Sequence, residues 1–259
     1  MALNIISTNL NWKSPRVTRS STKYLIIHHA AGTGSVYDIH EQHRNHPTEN
    51  YIGIAYNFYI RKDGSVYEGR GWEYEGGHTG KGNGINYNSQ SIGICCEGYY
   101  HEDENNQYTG APSIAQLRSL IELGVEAKRR YSTITSIGGH NDYNSTACPG
   151  NRFPKDMVIS AMRSYNQVKS SANTLKAKGV INTADYWVDN FWRVTYLDEL
   201  IINCAAKCKP NITGNYTTVQ NALNRLAQVG IINTPSYWLN NYYNLQYLDS
   251  FIISAANHA

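Results

Sequence analysis

The last third of the chain is an internal duplication, and this feature constrains the fold more than any other. Aligned 51 residues apart without gaps, residues 171–208 and 222–259 agree at 15 of 38 positions. Agreement of this extent indicates two tandem copies of one small module. The full chain of 259 residues also exceeds the usual length of a single domain. We therefore predict a first domain at residues 1–165 and a second, containing both repeats, at residues 166–259.

Each repeat has the pattern of a small helical unit. A first stretch ends at Gly179 or Gly230, the pair Tyr186-Trp187 recurs as Tyr237-Trp238, and Leu, Ile and Ala then follow at helical spacing. We expect a short helix, an aromatic turn and a second helix in each copy. A linker at residues 209–216 would join the two copies.

Charge and cysteine content exclude several classes of protein. A net charge of +3 with 17% charged residues is too mild to indicate binding to nucleic acid or to a membrane surface. The chain shows no signal peptide and no apolar run near the ~20 residues of a membrane span, so we expect synthesis in the cytoplasm. Five cysteines, an odd number, do not predict a disulfide framework in such a protein.

The first domain alternates strand-like and helical segments. Strands are predicted at residues 24–29, 55–60, 65–68, 91–97 and 134–137, and helices at residues 35–46, 113–131 and 153–165. This alternation predicts the α/β class, with a mixed central sheet flanked by helices and followed by the small, mostly α-helical repeat domain.

The strongest chemical signal is the loop at residues 139–149. His140 and Cys148 offer an imidazole and a thiol, which bind Zn²⁺ well, and a third ligand from elsewhere would complete a catalytic zinc site. The predicted strand at residues 24–29 ends in two histidines that period-two alternation places on opposite faces, so only one can be that ligand. We take His28 as the candidate, because a strand end can present an imidazole towards a neighbouring loop.

The first domain also carries an ordered series of short motifs. They are Ile26-Ile27-His28-His29, Ala55-Tyr56-Asn57-Phe58, Gly69-Arg70-Gly71-Trp72, Gly77-His78, Ser91-Ile92-Gly93-Ile94, His140 and Cys148-Pro149. In this order and spacing the region from about Tyr24 to Met162 resembles the zinc-dependent N-acetylmuramoyl-L-alanine amidases. That family shares a fold with phage lysozyme-type amidases and peptidoglycan-recognition proteins.

The resemblance implies a function and a set of roles. His28, His140 and Cys148 would bind zinc, leaving a fourth position for water or the substrate carbonyl. The Tyr56 hydroxyl would hydrogen-bond the developing oxyanion, and Thr146 would orient the water or the oxyanion. The bond cleaved would join N-acetylmuramic acid to the L-alanine of the peptidoglycan stem peptide.

The sequence departs from the family at one catalytic position. Many members carry a glutamate general base directly after the Ile-Gly-Ile of the central strand, where this chain has Cys95. Glu97 lies two residues further on the same strand face and is the candidate substitute. If Glu97 is not the general base, the zinc-bound water would act with Tyr56 and Thr146 alone.

Several further residues are candidates for the substrate groove. By resemblance, four residues would contact substrate: His78, Asn57, Arg70 and Trp72. The alternative for these side chains is packing or a solvated loop. His40 and His43 lie three residues apart on a predicted helix, but we interpret them as structural, since His43 falls on the apolar face.

The repeats have two interpretations. In the first they bind the bacterial wall, with Trp192, Tyr242 and Tyr243 facing outward to stack on sugar rings. In the second they form a helical appendage, or a scaffold, whose aromatic residues make its core. Residues 167–259 contain 7 basic and 5 acidic residues, so attraction to an anionic polymer does not dominate.

We therefore predict a peptidoglycan hydrolase that acts as a cell-wall lysin after release from the cytoplasm, on the pattern of a phage endolysin. Its partners would be bacterial peptidoglycan and, through the repeats, a secondary wall polymer. A bacterial autolysin is one alternative and a non-catalytic peptidoglycan-recognition protein is another. Cys148 separates the last from an enzyme, because a protein that only binds muropeptide does not need the third ligand.

Overall fold

The structure is a computed structural model that describes residues 3–102, 110–210 and 214–259. The chain divides into two compact units, residues 1–162 and 163–259, which are described separately below.

The described part of the first unit is built on a six-stranded mixed sheet. Its strands are β1 (Ile5–Ile6), β2 (Tyr24–His29), β3 (Phe58–Ile60), β4 (Val66–Glu68), β7 (Ser91–Cys96) and β8 (Ser136–Gly139), in the order β1-β4-β3-β7-β2-β8. A separate pair, β5 (Lys81–Gly82) and β6 (Ile85–Asn86), forms a small hairpin. Strand β2 is parallel to both of its neighbours, and only the β3–β4 hairpin is antiparallel in the large sheet.

The centre of the sheet is buried on both faces. All residues of β7 and all but the first residue of β2 are buried, as expected of parallel strands that read as nearly continuous apolar runs. Two helices of this unit, α1 (Val36–Arg44) and α2 (Ile114–Arg130), begin at serine caps. The Ser35 hydroxyl accepts from the Asp38 amide at 3.2 Å, and the Ser113 hydroxyl accepts from the Gln116 amide at 3.0 Å. The predicted α/β class is confirmed.

The third helix is longer than predicted. We expected a helix at residues 153–165, with the second domain starting at residue 166, whereas α3 runs from Lys155 to Ala177 without a break. Its second half contains no glycine or proline, and Val168, Ala172 and Leu175 recur at helical spacing with no exposed surface. The polar residues between them are the solvent face of the helix, and the predicted boundary at residues 165/166 lies inside it.

The second unit repeats its structure with the same 51-residue offset as its sequence. Its helices after α3 are α4 (Ala184–Asn190), α5 (Leu197–Lys207), α6 (Val219–Gln228), α7 (Pro235–Leu239) and α8 (Leu248–His258), with 3-10 turns at Phe191–Arg193 and Tyr242–Asn244. Trp187 and its counterpart Trp238 are both 4% exposed and belong to the core. No helix among the described residues is long and apolar enough to cross a membrane.

The two repeats interlock through equivalent tyrosines. The Tyr186 hydroxyl donates to the Gln246 carbonyl at 2.6 Å, and the Tyr237 hydroxyl donates to the Thr195 carbonyl at 3.0 Å. Tyrosines 186 and 237 occupy the same place in the two copies, as do residues 195 and 246. The module therefore has an internal pseudo-twofold relation in which each copy holds a turn of the other.

The expectation that Trp192 faces outward is wrong. Its side chain is 8% exposed. The 3-10 turn that carries it packs against α5, and the preceding Phe191 packs against Tyr165 of the long helix α3. The second copy has no helix at the position corresponding to Tyr165, and there Tyr243, the counterpart of Trp192, is 71% exposed. Tyr242 is half-buried and its ring lies 5.8 Å from that of Tyr243.

Candidate metal centre

Two parallel strands bring His28 and His140 together. Strands β2 and β8 pair in parallel along residues 24–27 and 136–139, so their carboxyl ends coincide. His28 lies at the end of β2, and His140 opens the 3-10 turn that follows β8 directly. The two imidazole rings are 4.6 Å apart between centroids.

A folded-back loop brings in Cys148. The Asn141 amide donates to the Cys148 carbonyl at 2.8 Å, which ties the start of the loop to its end. The Cys148 amide donates to the Thr146 hydroxyl at 3.2 Å, and the His29 amide donates to the Cys148 sulfur at 3.4 Å. The sulfur is thereby held over the end of β2, and Thr146 shapes the loop from two residues away.

The three side chains fit a zinc ion. One ligand atom from each of His28, His140 and Cys148 lies within 4.8 Å of the other two, and no other such group occurs among the described residues. His28 Nδ1 and Cys148 Sγ are 3.5 Å apart. Donors bound at about 2.1 and 2.3 Å in a tetrahedral site lie about 3.6 Å apart, so this pair already has the required spacing. Two imidazoles and one thiolate are a donor set that Zn²⁺ prefers.

A chain of hydrogen bonds orients His28 from behind. Because Nδ1 faces the cysteine, the ring proton of His28 lies on Nε2, which donates to His78 Nδ1 at 2.9 Å. His78 Nε2 then donates to the Ser91 hydroxyl at 3.2 Å, and that hydroxyl donates to the Tyr87 carbonyl at 2.6 Å. Outer hydrogen bonds of this kind fix the tautomer and direction of a ligating imidazole.

His140 is supported by the residue next to His78. Its imidazole hydrogen-bonds the backbone of Thr79, whose side-chain hydroxyl lies 2.7 Å from His78 Nδ1. Burial lowers the pKa of His140, and burial reinforced by His78 and His140 holds the pKa of His28 well below its usual range. Both imidazoles are therefore neutral near pH 7, which is the form that binds a metal.

Tyr56 borders the cluster. Its ring lies 5.2 Å from that of His28, and its hydroxyl hydrogen-bonds the sulfur of Cys95. Burial, reinforced by Cys95 and Cys148, raises the pKa of Tyr56 well above its ordinary value. The side chain is thus a phenol at neutral pH and can donate a hydrogen bond.

An open cleft of about 640 Å³ runs up to the cluster. His140, His78, Thr79 and Arg70 line it, together with the loop at residues 49–52. Burial lowers the pKa of Arg70 to about 10, and the side chain still donates to the carbonyls of Ile54 at 2.8 Å and Glu75 at 3.0 Å. Arg70 therefore builds the floor of the cleft as well as lining it.

The structure corrects the expected substrate contact of Asn57. The side chain has no exposed surface, its amide nitrogen donates to the carbonyls of Gly71 and Tyr74, and its oxygen accepts from the Gly93 amide. It joins strand β7 to the loop after β4. Trp72 is not among the residues that line the cleft; it stacks 4.4 Å from Phe58 and lies under the Arg130 guanidinium.

Glu97 is held by structural contacts. Its carboxylate accepts from Arg61 Nε at 2.8 Å, from the Lys62 amide at 3.1 Å and from the Gly34 amide at 3.2 Å. These three donors occupy both oxygens of a side chain that is 4% exposed. These hydrogen bonds explain why the carboxylate is buried, and they indicate a structural role for Glu97 instead of the expected role as general base.

Three other histidines of the first unit accept hydrogen bonds from backbone amides. His29 Nδ1 accepts from the Tyr100 amide at 3.2 Å, on the face of β2 opposite His28. His40 accepts from the Ile54 amide at 3.2 Å and His43 accepts from the Ala55 amide at 3.0 Å. For His40 and His43 these bonds agree with the structural interpretation made from sequence.

Sequence reasoning missed the residues behind the ligands. His78 was expected to contact substrate. It does line the cleft, but its imidazole is 7% exposed and hydrogen-bonded at both nitrogens. No role was predicted for Thr79 or Ser91. The available signal was the serine at the start of a buried strand, where a polar side chain requires a partner. The partner of Ser91 is His78, and it could be identified only from the structure, which shows the position of the loop at residues 76–80.

Comparison with known proteins agrees with this arrangement. The family model described as "Amidase_2: N-acetylmuramoyl-L-alanine amidase" matches residues 18–151. Peptidoglycan recognition protein 1 of Mus musculus is 34% identical over 152 residues, covering 56% of this chain and 78% of its own length. The endolysin of Klebsiella phage KP32 is 32% identical over 132 residues, covering 51% of this chain and 82% of its own. Among solved structures, the N-acetylmuramoyl-L-alanine amidase LysC from Clostridium intestinale URNW superposes with a TM-score of 0.52 at 29% identity, over 62% of this chain and 97% of that one.

Proposed function

The chain belongs to the Amidase_2 family of N-acetylmuramoyl-L-alanine amidases, and from this premise we propose that it hydrolyses the amide between N-acetylmuramic acid and the L-alanine of the stem peptide, with zinc at His28, His140 and Cys148. The observation that carries the proposal is the three-ligand cluster at the end of an open cleft, with a phenol beside it.

The cluster residues hold the metal and the cleft admits the substrate. Zinc bound by three protein ligands supplies a Lewis acid that polarises an amide carbonyl and lowers the pKa of water. His78 and Thr79 keep the two imidazoles in the orientation this requires. The cleft of about 640 Å³ beside His140 is the proposed binding site for the stem peptide and its sugar.

Tyr56 and Thr146 are proposed to act on the developing oxyanion. The phenol of Tyr56 keeps its proton at neutral pH and lies next to His28, so it can donate to an oxygen that gains negative charge. Thr146 is exposed and lies on the cysteine loop, two residues before Cys148, and its hydroxyl would donate to the oxyanion while still accepting from the Cys148 amide. No carboxylate is assigned as general base.

Cys148 favours an enzyme over a protein that only recognises peptidoglycan. Relatives of this chain include peptidoglycan-recognition proteins, so both activities must be weighed. The loop here is built to hold a thiol at metal-ligand distance from His28, with the His29 amide donating to the sulfur. A binding protein would gain nothing from this arrangement.

For the biological role we propose a cell-wall lysin of the endolysin type. The similarity to a phage endolysin over 82% of its length supports this, and a bacterial autolysin is the alternative. We further propose that the repeats bind the wall through exposed aromatic side chains and raise the local concentration of the enzyme on its substrate. A purely structural appendage is the alternative for the repeats.

Product analysis tests the proposal. The purified chain should clear a suspension of bacterial walls and release new L-alanine amino termini without new reducing sugar ends, and chelation should abolish both effects. Reducing ends would identify a glycosidase and refute the proposed bond. Wall clearance by Cys148→Ala at the wild-type rate would refute the metal assignment.

A further inference from the structure

The interlocked repeats contain two equivalent turns, at residues 178–183 and 229–234, that differ in one respect. In the first copy, the turn after α3 faces α8 of the other copy, and the cleft between them has a volume of about 590 Å³. Tyr186, Trp187, Tyr247 and Phe251 form its aromatic wall. The Tyr186 and Tyr247 rings are 5.6 Å apart and perpendicular, as are their counterparts Tyr237 and Tyr196 at 5.4 Å.

In the second copy, side chains from α5 occupy the corresponding turn. Lys207 Nζ donates to the carbonyls of Val229 at 3.0 Å and Gly230 at 2.7 Å, and Asn203 Nδ2 donates to the Ile231 carbonyl at 3.2 Å. Three successive carbonyls of that turn are thereby satisfied.

In the first copy these donors are replaced. Ser254 stands in the place of Asn203 and His258 in the place of Lys207, and His258 Nδ1 bonds the Ser254 carbonyl of its own helix at 2.8 Å. No side-chain donor among the described residues reaches the carbonyls of residues 178–180. His258 still lies beside Gly179, with its Nε2 nearest to that residue. The duplication therefore leaves one turn hydrogen-bonded by its partner helix and one turn without such bonds, beside an aromatic wall.

We propose that this open cleft, between Tyr186, Trp187 and Tyr247 on one side and the turn at residues 178–183 on the other, binds an uncharged sugar ring of the wall glycan. The inference rests on the proposed function, since it assigns the wall-binding site of the repeats. It also moves that site away from the residues expected from sequence.

The chemistry of the cleft selects this ligand. Tyrosine and tryptophan rings stack on the apolar C–H face of a sugar, while sugar hydroxyls donate to carbonyl oxygens and accept from hydroxyls and amides. The open turn supplies the carbonyls, and Asn182, Thr183 and Ser254 supply neutral polar groups. No charged side chain among the described residues lines the cleft, which disfavours a phosphate-bearing polymer or a carboxylate. A volume of this size falls within the roughly 300–1,000 Å³ typical of small-molecule sites.

The duplication offers a matched control. Tyr247 and Tyr196 have the same left-handed backbone, with φ of 67° and 64°, and nearly the same exposure of 55% and 54%. Asparagine tolerates this backbone, so Tyr247→Asn and Tyr196→Asn each remove one ring with little strain. A third variant, Ser254→Asn, introduces the side chain that donates to the turn of the second copy, where Asn203 bonds the Ile231 carbonyl.

The experiment measures binding of the full chain, in a Cys148→Ala background so that walls stay intact, to triacetylchitotriose, to peptide-free glycan strands and to whole bacterial walls before and after removal of phosphate-bearing polymers. Calorimetry and co-sedimentation report the affinity, and thermal unfolding reports the fold. Tyr247→Asn and Ser254→Asn should each weaken binding by about tenfold, whereas Tyr196→Asn should change it by less than about twofold. Equal loss in the two tyrosine variants, or no loss in any, would overturn the cleft assignment.

Two further outcomes separate this inference from the proposed function. Wild-type chain that hydrolyses soluble muropeptide but binds neither saccharide refutes the cleft and leaves the amidase intact. Chain that binds both saccharides through Tyr247 without hydrolysing muropeptide refutes the amidase and leaves the cleft. Binding that disappears when phosphate-bearing polymers are stripped from walls would identify an anionic ligand and overturn the sugar assignment.

Discussion

Replacing His78 should weaken zinc binding without removing any metal ligand. His78 Nδ1 accepts the only hydrogen bond that His28 Nε2 makes among the described residues, at 2.9 Å in a buried setting. In His78→Ala the proton on His28 Nε2 loses its acceptor. The ring is then free to turn or to adopt the tautomer that places the proton on Nδ1, where zinc must bind.

The magnitude follows from two independent considerations. A buried donor left without a partner costs about 1–3 kcal/mol, and this cost falls on the conformation in which His28 is a ligand. Loss of an outer hydrogen bond to a ligating histidine typically lowers metal affinity by about 10- to 100-fold, or about 1.4–2.7 kcal/mol. We therefore expect the zinc Kd of His78→Ala to rise by roughly 10- to 100-fold.

The assay is competition for zinc with a chromophoric chelator, supported by the absorbance of the cobalt-substituted protein. His78→Asn should recover part of the affinity, because its side-chain oxygen can accept from His28 Nε2. His40→Ala is the control: it also deletes a buried imidazole with two backbone partners, but one that does not touch the cluster. It should lower thermal stability while leaving the zinc Kd and the cobalt spectrum unchanged.

A zinc Kd within about twofold of wild type in folded His78→Ala would refute the reasoning, since the bond would then make no contribution to affinity. So would equal losses of affinity in His78→Ala and His40→Ala, because the effect would then reflect general destabilisation. Failure of His78→Asn to differ from His78→Ala would show that the hydrogen bond is not the cause.

Three other changes test separate parts of the structure. Cys148→Ser should remain folded but lose zinc affinity by at least about 100-fold in the same competition assay, because a neutral hydroxyl replaces a thiolate. Thr146→Val should lower kcat on soluble muropeptide by about 10²-fold with little change in KM, if its hydroxyl acts on the oxyanion. Glu126→Gln should reduce stability by about 0.5 kcal/mol at pH 7, because the pKa of Glu126, lowered to about 2 by Arg129 and Arg130, makes the carboxylate stabilising above pH 4.5. That difference should disappear in unfolding measurements as the pH falls from 4.5 towards 2.

The strands and the three candidate ligands could be proposed from sequence because the patterns that carry them are local. The apolar run before His28 and the cap at Ser113 depend on neighbouring residues, and the structure places both where the pattern predicts. The end of α3 could not be located in this way, since a polar stretch on the solvent face of a helix resembles a linker. Asn57 was assigned to the substrate groove because it belongs to a motif of the family, but its side chain links two backbone segments in the interior.

The repeats show a different limit. Two copies of one pattern predict two equal surfaces, and sequence alone gave no reason to prefer Trp192 as core and Tyr243 as surface. Trp192 and Tyr243 occupy corresponding positions, yet only the tryptophan is buried. The two copies also differ in what precedes them, since α3 runs into the first copy and brings Tyr165 against Phe191, whereas the first helix of the second copy begins at Val219.

Cys95 shows how the departure from the family pattern is accommodated. It has no exposed surface and lies in an apolar cluster with Leu10, Val36, Ile39, Ile54 and Tyr59. A carboxylate in that cluster would lose its hydration without gaining a cationic partner, which is costly, whereas a thiol is readily buried. The thiol also leaves Tyr56 bonded to sulfur, a weak acceptor, so the phenol can exchange that bond for a stronger one to an oxyanion. Cysteine at position 95 therefore has two effects: it removes the carboxylate that many family members carry, and it leaves the Tyr56 hydroxyl in a weak hydrogen bond.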